Sequence, residues 1–224
     1  MTDLADVAGA LADRTRARML EELLGGPPLP AGALAVRVGV APSTVSAHLR
    51  TLERAGLITI TSNGRRREAQ LAGPHVAEAL EALANIAGDH TRPVGLKAVN
   101  RRHALREARS CYDHLAGRAG VALADQLLDH GALHLDDGAF AVPADAAGYY
   151  RERFGFDPMG LHTRRPLVRA CSDWTERRPH VAGALGKALL DALIDDGALR
   201  RRPDGRALTV AKDFLSDDRR SVAA

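Results

Sequence analysis

Leu4 to Leu11 and Thr15 to Leu24 each space their apolar residues as helices do. The second sets Ala17, Leu20, Leu23 and Leu24 along one stripe before Gly25-Gly26-Pro27-Pro28 ends it. A short helix is predicted near Ala31 to Val38. Gly39 to Ser43 reads as a tight turn whose Pro42 and Ser43 can start a further helix at Thr44. In that helix Val45, Leu49 and Leu52 share one side, leaving Thr44, Ser46, Ala47, His48, Arg50, Thr51 and Arg54 on the other. Gly56 stops it. Leu57 to Thr61 then alternates and is rich in β-branched residues, Asn63-Gly64 is a strong hairpin signal, and Arg66 to Leu71 returns as a second strand.

A short helical core, a helix with one polar side and an arginine-tipped hairpin make up the pattern of a winged helix. Such a helix enters the major groove while the hairpin tip reaches neighbouring phosphates. The stretches Asp13-Arg14-Thr15-Arg16-Ala17-Arg18-Met19-Leu20 and Pro42-Ser43-Thr44-Val45-Ser46-Ala47-His48-Leu49, with Leu52 to Ile58 and Leu71 to Leu80, resemble the ArsR/SmtB family of winged-helix repressors over roughly the first ninety residues. The resemblance implies a homodimer paired through the first helix and the helix that starts near His75. It also implies a palindromic double-stranded DNA operator and an inducer that releases it. By position, Ser43, Thr44, Ser46, Ala47 and His48 would face base edges, Arg50 would lie nearer phosphate, and Arg65, Arg66 and Arg67 would form the wing tip. The four-ligand metal site that some members carry on the last helix falls here on Gly73, His75, Ile86 and Asp89, and glycine and isoleucine cannot ligate.

Composition narrows the class. Aromatic residues are 4% of the chain while Ala, Leu and Arg abound, which favours aliphatic helix packing over an all-β sandwich. No run approaches the roughly 20 apolar residues of a membrane span, and Asp3 and Asp6 near the start do not suit a secretion signal. A cytoplasmic protein is expected. Basic charge gathers in residues 37–67 and 91–110, each holding six Lys or Arg against one Glu, where a polyanion could be met.

The second half carries an internal repeat. His114 to Leu133 matches His180 to Leu199 at a constant offset, with paired His, Gly and Asp positions. Each copy runs as a helix, a glycine stop, a strand and an Asp-Gly turn, at Asp137-Gly138 and Asp204-Gly205. The expected architecture is mainly α with small β-hairpins: a winged helix-turn-helix domain at 1–90, a basic linker helix at 91–110, and a sensor or dimerisation domain of two winged-helix-like repeats at 111–224.

Two cysteines sit just ahead of the copies, in Cys111-Tyr112-Asp113-His114 and in Cys171 to His180. A Cys and a His three apart on a helix would share a face, and packing of the copies about a local pseudo-twofold would bring Cys111, His114, Cys171 and His180 together, with Asp113 and Asp173 as further ligands or supports. Such a set suits zinc or another thiophilic divalent metal. Two other readings stand beside it: a buried pair of inert thiols, and a thiol switch by oxidation of Cys111 and Cys171. Arg164-Arg165 and Arg177-Arg178 are expected to pair with Asp173 and Glu176 or to bind an anion. An enzyme with a cysteine nucleophile, and a winged helix used only for protein contacts, are the rival classes. No glycine-rich phosphate loop, nucleophile elbow or oxyanion motif favours the enzyme.

Overall fold

Asp13 starts the second helix of the chain by accepting backbone N–H bonds from Thr15 at 2.8 Å and Arg16 at 2.9 Å, which satisfies two of the donors a helix start leaves open. The computed structural model describes residues 3–63, 66–87, 96–161, 164–203 and 205–215. They form two compact units, Met1–Leu80 and Glu81–Ala224.

In the first unit α1 (Leu4–Leu11), α2 (Arg14–Leu23), α3 (Ala31–Val38) and α4 (Pro42–Arg54) precede the hairpin β2 (Ile58–Asn63) and β3 (Arg66–Leu71). A short strand, β1 (Leu29–Pro30), pairs with the far side of β3, giving the sheet order β1-β3-β2. The helices meet through Met19, Leu20 and Leu23 of α2, Leu34 and Val38 of α3, and Val45, Leu49 and Leu52 of α4, all buried. Burying each such side chain stabilises the unit by about 1.5–3 kcal/mol before entropy is charged against it. Pro42 sits at the first position of α4, where its missing N–H costs nothing. This is a winged helix-turn-helix. The chain passes from the first unit to the second within α5 (Pro74–Ala87).

In the second unit α6 (Leu96–Glu107) leads to two runs of elements in the same order. The first is β4 (Arg109–Cys111), β5 (His114–Ala116), α7 (Arg118–Asp129), β6 (His134–Asp136) and β7 (Ala139–Ala141). The second is β8 (Arg169–Ser172), β9 (Pro179–Ala182), α9 (Gly183–Asp195), β10 (Leu199–Arg201) and β11 (Leu208–Val210), with α8 (Ala147–Phe154) between the runs. Every strand pair is an antiparallel hairpin. The helices are exchanged: α7 lies against β9 of the second run, and α9 against β5 of the first. Leu123, Leu127, Leu185, Leu189, Leu190 and Leu193 fill the core between them. Tyr150, Phe154 and Phe156 close one end, where the Tyr150 hydroxyl donates to the Ala132 carbonyl at 2.9 Å.

Three expectations need correction. Cys111 and His114 do not share a helix face. They stand directly opposite one another on β4 and β5, and Cys171 and His180 do so on β8 and β9, because the intervening residues turn the chain back on itself. The basic segment 91–110 is not one linker helix: α6 ends at Glu107, and Arg109 lies wholly buried on β4 rather than facing a polyanion. The arginine pairs also take other partners. Arg165 bonds Asp113, Arg178 bonds Asp125 through both terminal guanidinium nitrogens, and Asp173 is held by Arg109. Gly64, Arg65, Asp89, residues 91–95 and Asp204 lie outside the described residues.

Candidate functional site

On α4 the side chains of Ser43, Thr44, Ala47 and Arg50 are exposed. Ser46 is half-buried and turns its hydroxyl back onto the Pro42 carbonyl at 2.9 Å. His48 is 18% exposed and is engaged from within: its Nδ1 lies 3.5 Å from Arg16 Nη1 and its Nε2 4.0 Å from Asp13 Oδ1. Arg16 meanwhile donates to the Ala10 and Gly9 carbonyls at the end of α1. The His48 ring thus belongs to the junction of α1, α2 and α4, and the exposed surface of α4 includes Ser43, Thr44, Ala47, Arg50, Glu53 and Arg54. In the wing Arg67 is exposed on β3, paired across from Ser62. Arg66 pairs with Asn63 at the strand ends, while Arg65 lies outside the described residues. On α5, His75 and Ile86 are exposed, and Asp89 lies outside the described residues.

The second unit gathers Cys111, His114, Cys171 and His180 so that one donor atom from each lies within 4.8 Å of all the others. Three of the four are buried, and Cys171 is partly so. The imidazoles of His114 and His180 face each other with ring centroids 5.1 Å apart and 31° between their planes. Helix exchange builds this contact. A Cβ on Gly186 of α9 would lie 3.0 Å from His114 Cβ, and one on Gly120 of α7 would lie 3.5 Å from His180 Cβ. Glycine is required at both positions by the strand of the same copy, since a Cβ would lie 2.6 Å from the Leu115 carbonyl oxygen at Gly120 and 2.4 Å from that of Val181 at Gly186. The β4–β5 turn is two residues, Tyr112 and Asp113, with Tyr112 held at φ 60°, a region non-glycine residues seldom occupy.

Each histidine has a carboxylate beside it. Asp113 Oδ1 lies 3.3 Å from His114 Nδ1, and Arg165 bonds the same carboxylate. Burial pushes the Asp113 carboxyl up, but the His114 and Arg165 hydrogen bonds outweigh it and hold the pKa at about 2. Asp173 Oδ2 lies 3.4 Å from His180 Nδ1. Its Oδ1 accepts from Thr175 N, Thr175 Oγ1 and Glu176 N, and its Oδ2 from Arg109 Nη2 at 3.0 Å and Gly117 N at 2.7 Å. Burial opposes ionisation there too, but the Arg109 charge and these bonds hold the carboxyl well below the usual range.

The two thiols diverge. A hydrogen bond with Cys171 and burial push Cys111 up, whereas Cys111, His114 and His180 draw Cys171 down, so the surroundings favour the anion at Cys171 over Cys111. His114 is raised: burial alone would lower it, and Asp113 and Cys171 reverse the sign. The His114 Nε2 and both His180 nitrogens are buried without a hydrogen-bond partner among the described residues. Orphaned imidazole nitrogens beside a thiolate fit a metal ion, which takes both the lone pairs and the negative charge. A tetrahedral ion with bonds of ~2.0–2.3 Å spaces its ligands about 3.3–3.8 Å apart, so modest closure of the cluster suffices.

Sequence reasoning did not find Arg109 or Glu81, which stand behind Asp173. Glu81 carried a signal, a charge four residues after the buried Ala77 on the apolar stripe of α5. Arg109 was masked by the basic run around it.

Residues 11–61 match a family model described as a helix-turn-helix domain. The chain is 35% identical over 210 residues, 94% of its own length and 92% of the other's, to an uncharacterized HTH-type transcriptional regulator, YdfF, of Bacillus subtilis. It is 43% identical over 83 residues, 37% of its length and 70% of the other's, to the HTH-type transcriptional regulator CmtR of Mycobacterium bovis. Among solved structures, the cadmium metal-sensor CmtR of Mycobacterium tuberculosis matches at 38% identity with a TM-score of 0.34, covering 42% of this chain and 99% of that one.

Proposed function

The chain belongs to the HTH-type transcriptional regulators, and from that premise we propose that it is a homodimeric repressor of the ArsR/SmtB type whose hold on DNA is set by a thiophilic metal ion in its second unit. The observation that carries the metal reading is the convergence of Cys111, His114, Cys171 and His180, with orphaned imidazole nitrogens and a carboxylate beside each histidine. Two thiolates and two imidazoles make a neutral site with a divalent ion and favour zinc or cadmium over harder cations. Asp113 and Asp173 then act as supports that orient the rings, not as ligands, since both are occupied by arginines.

On the DNA side, Ser43, Thr44 and Ala47 of α4 meet base edges, and Arg50 and Arg67 meet phosphates. Ser46 and His48 support that surface from behind, which departs from their expected place at the bases. The exposed apolar residues Leu4 on α1 and Leu83 and Ile86 on α5 suit pairing of two chains. A regulator that works on DNA would act in the cytoplasm. No helix among the described residues is long and apolar enough to cross a membrane.

Elemental analysis of protein purified without chelator, beside a Cys111→Ser, Cys171→Ser variant, tests the metal half. One zinc per chain that vanishes in the variant supports it, and no metal in either protein overturns it. Titration against random duplex DNA at two salt concentrations tests the other half: binding that weakens steeply with salt supports DNA as the partner, and its absence points to a protein-contact module.

A further inference from the structure

The most heavily buried charges of the second unit that are not ligands are neighbours in turn, from His180 to Asp173, Arg109 and Glu81. Arg109 is fully buried. It donates to Asp173 Oδ2 at 3.0 Å, to the Leu105 carbonyl at 3.2 Å and to Thr175 Oγ1 at 3.3 Å, and its guanidinium lies 4.9 Å from the ring centre of Trp174, the chain's single tryptophan. Its Nε has no hydrogen-bond partner among the described residues. Glu81 Oε2 lies 4.0 Å from Nη2, buried and without a hydrogen-bond partner among the described residues, while Glu81 Oε1 accepts from Arg206 at 2.6 Å. Arg109 Nη2, already bonded to Asp173, thus stands just beyond bonding distance of a buried acceptor that has no hydrogen-bond partner among the described residues, an arrangement costly enough to need a reason.

Asp173 supplies the reason. Its Oδ2 already accepts two bonds, and His180 Nδ1 waits 3.4 Å from the same oxygen. An imidazole that ligates a metal through Nε2 keeps its proton on Nδ1 and donates it to a supporting carboxylate. That makes a third donor at an oxygen with two lone pairs. The donor with another acceptor within reach is Arg109.

Resting on the metal reading above, we propose that Arg109 and Glu81 are positioning residues of the cluster: when His180 binds a metal ion, Asp173 turns to the imidazole and Arg109 shifts its hold to Glu81. Because Glu81 lies on α5, the helix in which the chain passes between its two units, metal occupancy acquires a handle on that helix. Coupling of this kind is reciprocal, so loss of Glu81 must be felt at the metal.

Trp174 makes the shift visible, since moving the Arg109 cation off its ring alters its emission. The test is a zinc titration of the full-length protein followed by tryptophan fluorescence, with zinc affinity measured by chelator competition. The wild type should change emission and saturate at one equivalent. Glu81→Gln, which keeps an acceptor for Arg206, should still bind one zinc per chain but at least tenfold more weakly, with less than half the emission change. Wild-type zinc affinity and emission change in Glu81→Gln would overturn the proposal, as would a wild type that binds one zinc with unaltered emission. Failure of the wild type to bind zinc at all would overturn the metal reading and take this proposal with it. Should Glu81→Gln not fold, Glu81→Asp draws the carboxylate back by one methylene and is judged by the same two outcomes.

Discussion

His114 and His180 face each other across the second unit with ring centroids 5.1 Å apart, each brought there by a hairpin of one repeat and covered by the helix of the other. Neither copy can hold a metal alone, since each offers one thiol and one imidazole. The repeat matters because folding it once builds the whole four-donor set.

Zinc should therefore stabilise the fold. At free zinc a thousandfold above its dissociation constant, the unfolding free energy should rise by about 4 kcal/mol, and chelator should remove the gain. Denaturant unfolding with and without zinc measures this. Equal midpoints would contradict a site that forms only in the folded chain.

The two helix glycines should not tolerate a side chain. A Cβ at Gly120 would come within 2.6 Å of the Leu115 carbonyl oxygen, and one at Gly186 would meet the Val181 carbonyl more closely still. Backbone cannot give way as a side chain does, so Gly120→Ala and Gly186→Ala should each cost about 1–3 kcal/mol. Both should also weaken zinc binding by spreading the histidines. Urea unfolding and chelator competition read the two effects.

Asp113 fixes an acid-sensitive component of stability. Its folded pKa of about 2 lies below the ordinary 3.8, so its contribution is complete above the unfolded value and is lost as pH falls through the folded one. After allowance for partial exposure the contribution is about 1–2 kcal/mol. Unfolding free energies measured from pH 7 down to pH 3 should fall less steeply in Asp113→Asn than in the wild type.

Arg50 and Arg67 should act on DNA without reading it. Changing either to alanine should weaken binding to all duplexes alike and reduce the slope of log affinity against log salt by about 1. An unchanged slope would remove that arginine from the phosphate contacts. Thr44→Ala, by contrast, should alter preference among sequences while leaving the slope in place.

The winged helix could be read from sequence because its signals are local: apolar spacing in α2 and α4, Pro42 at a helix start, and alternation running into Asn63. The four donors were also legible, since the repeat pairs His114 with His180 and each copy has a cysteine ahead of it. Their strand placement was not. A two-residue turn normally advertises itself with glycine or asparagine, and here Tyr112 takes the left-handed position, so Cys111 to His114 read as helix. The exchange of α7 and α9 between the copies is a long-range fact that no local pattern carries. Arg109 was hidden for a related reason, because a cation's partners, Asp173 and Glu81, are far from it in the chain. Asp173 itself was legible only as a neighbour of Cys171.

A cobalt(II) titration of the reduced, metal-free protein tests the central claim most directly. Two thiolates and two imidazoles around cobalt should give intense tetrahedral d–d bands and thiolate-to-metal charge transfer that saturate at one equivalent, vanish on adding zinc, and lose much of their charge-transfer intensity in Cys111→Ser. Only the faint spectrum of hydrated, six-coordinate cobalt, with no saturation point, would contradict a shared site of Cys111, His114, Cys171 and His180.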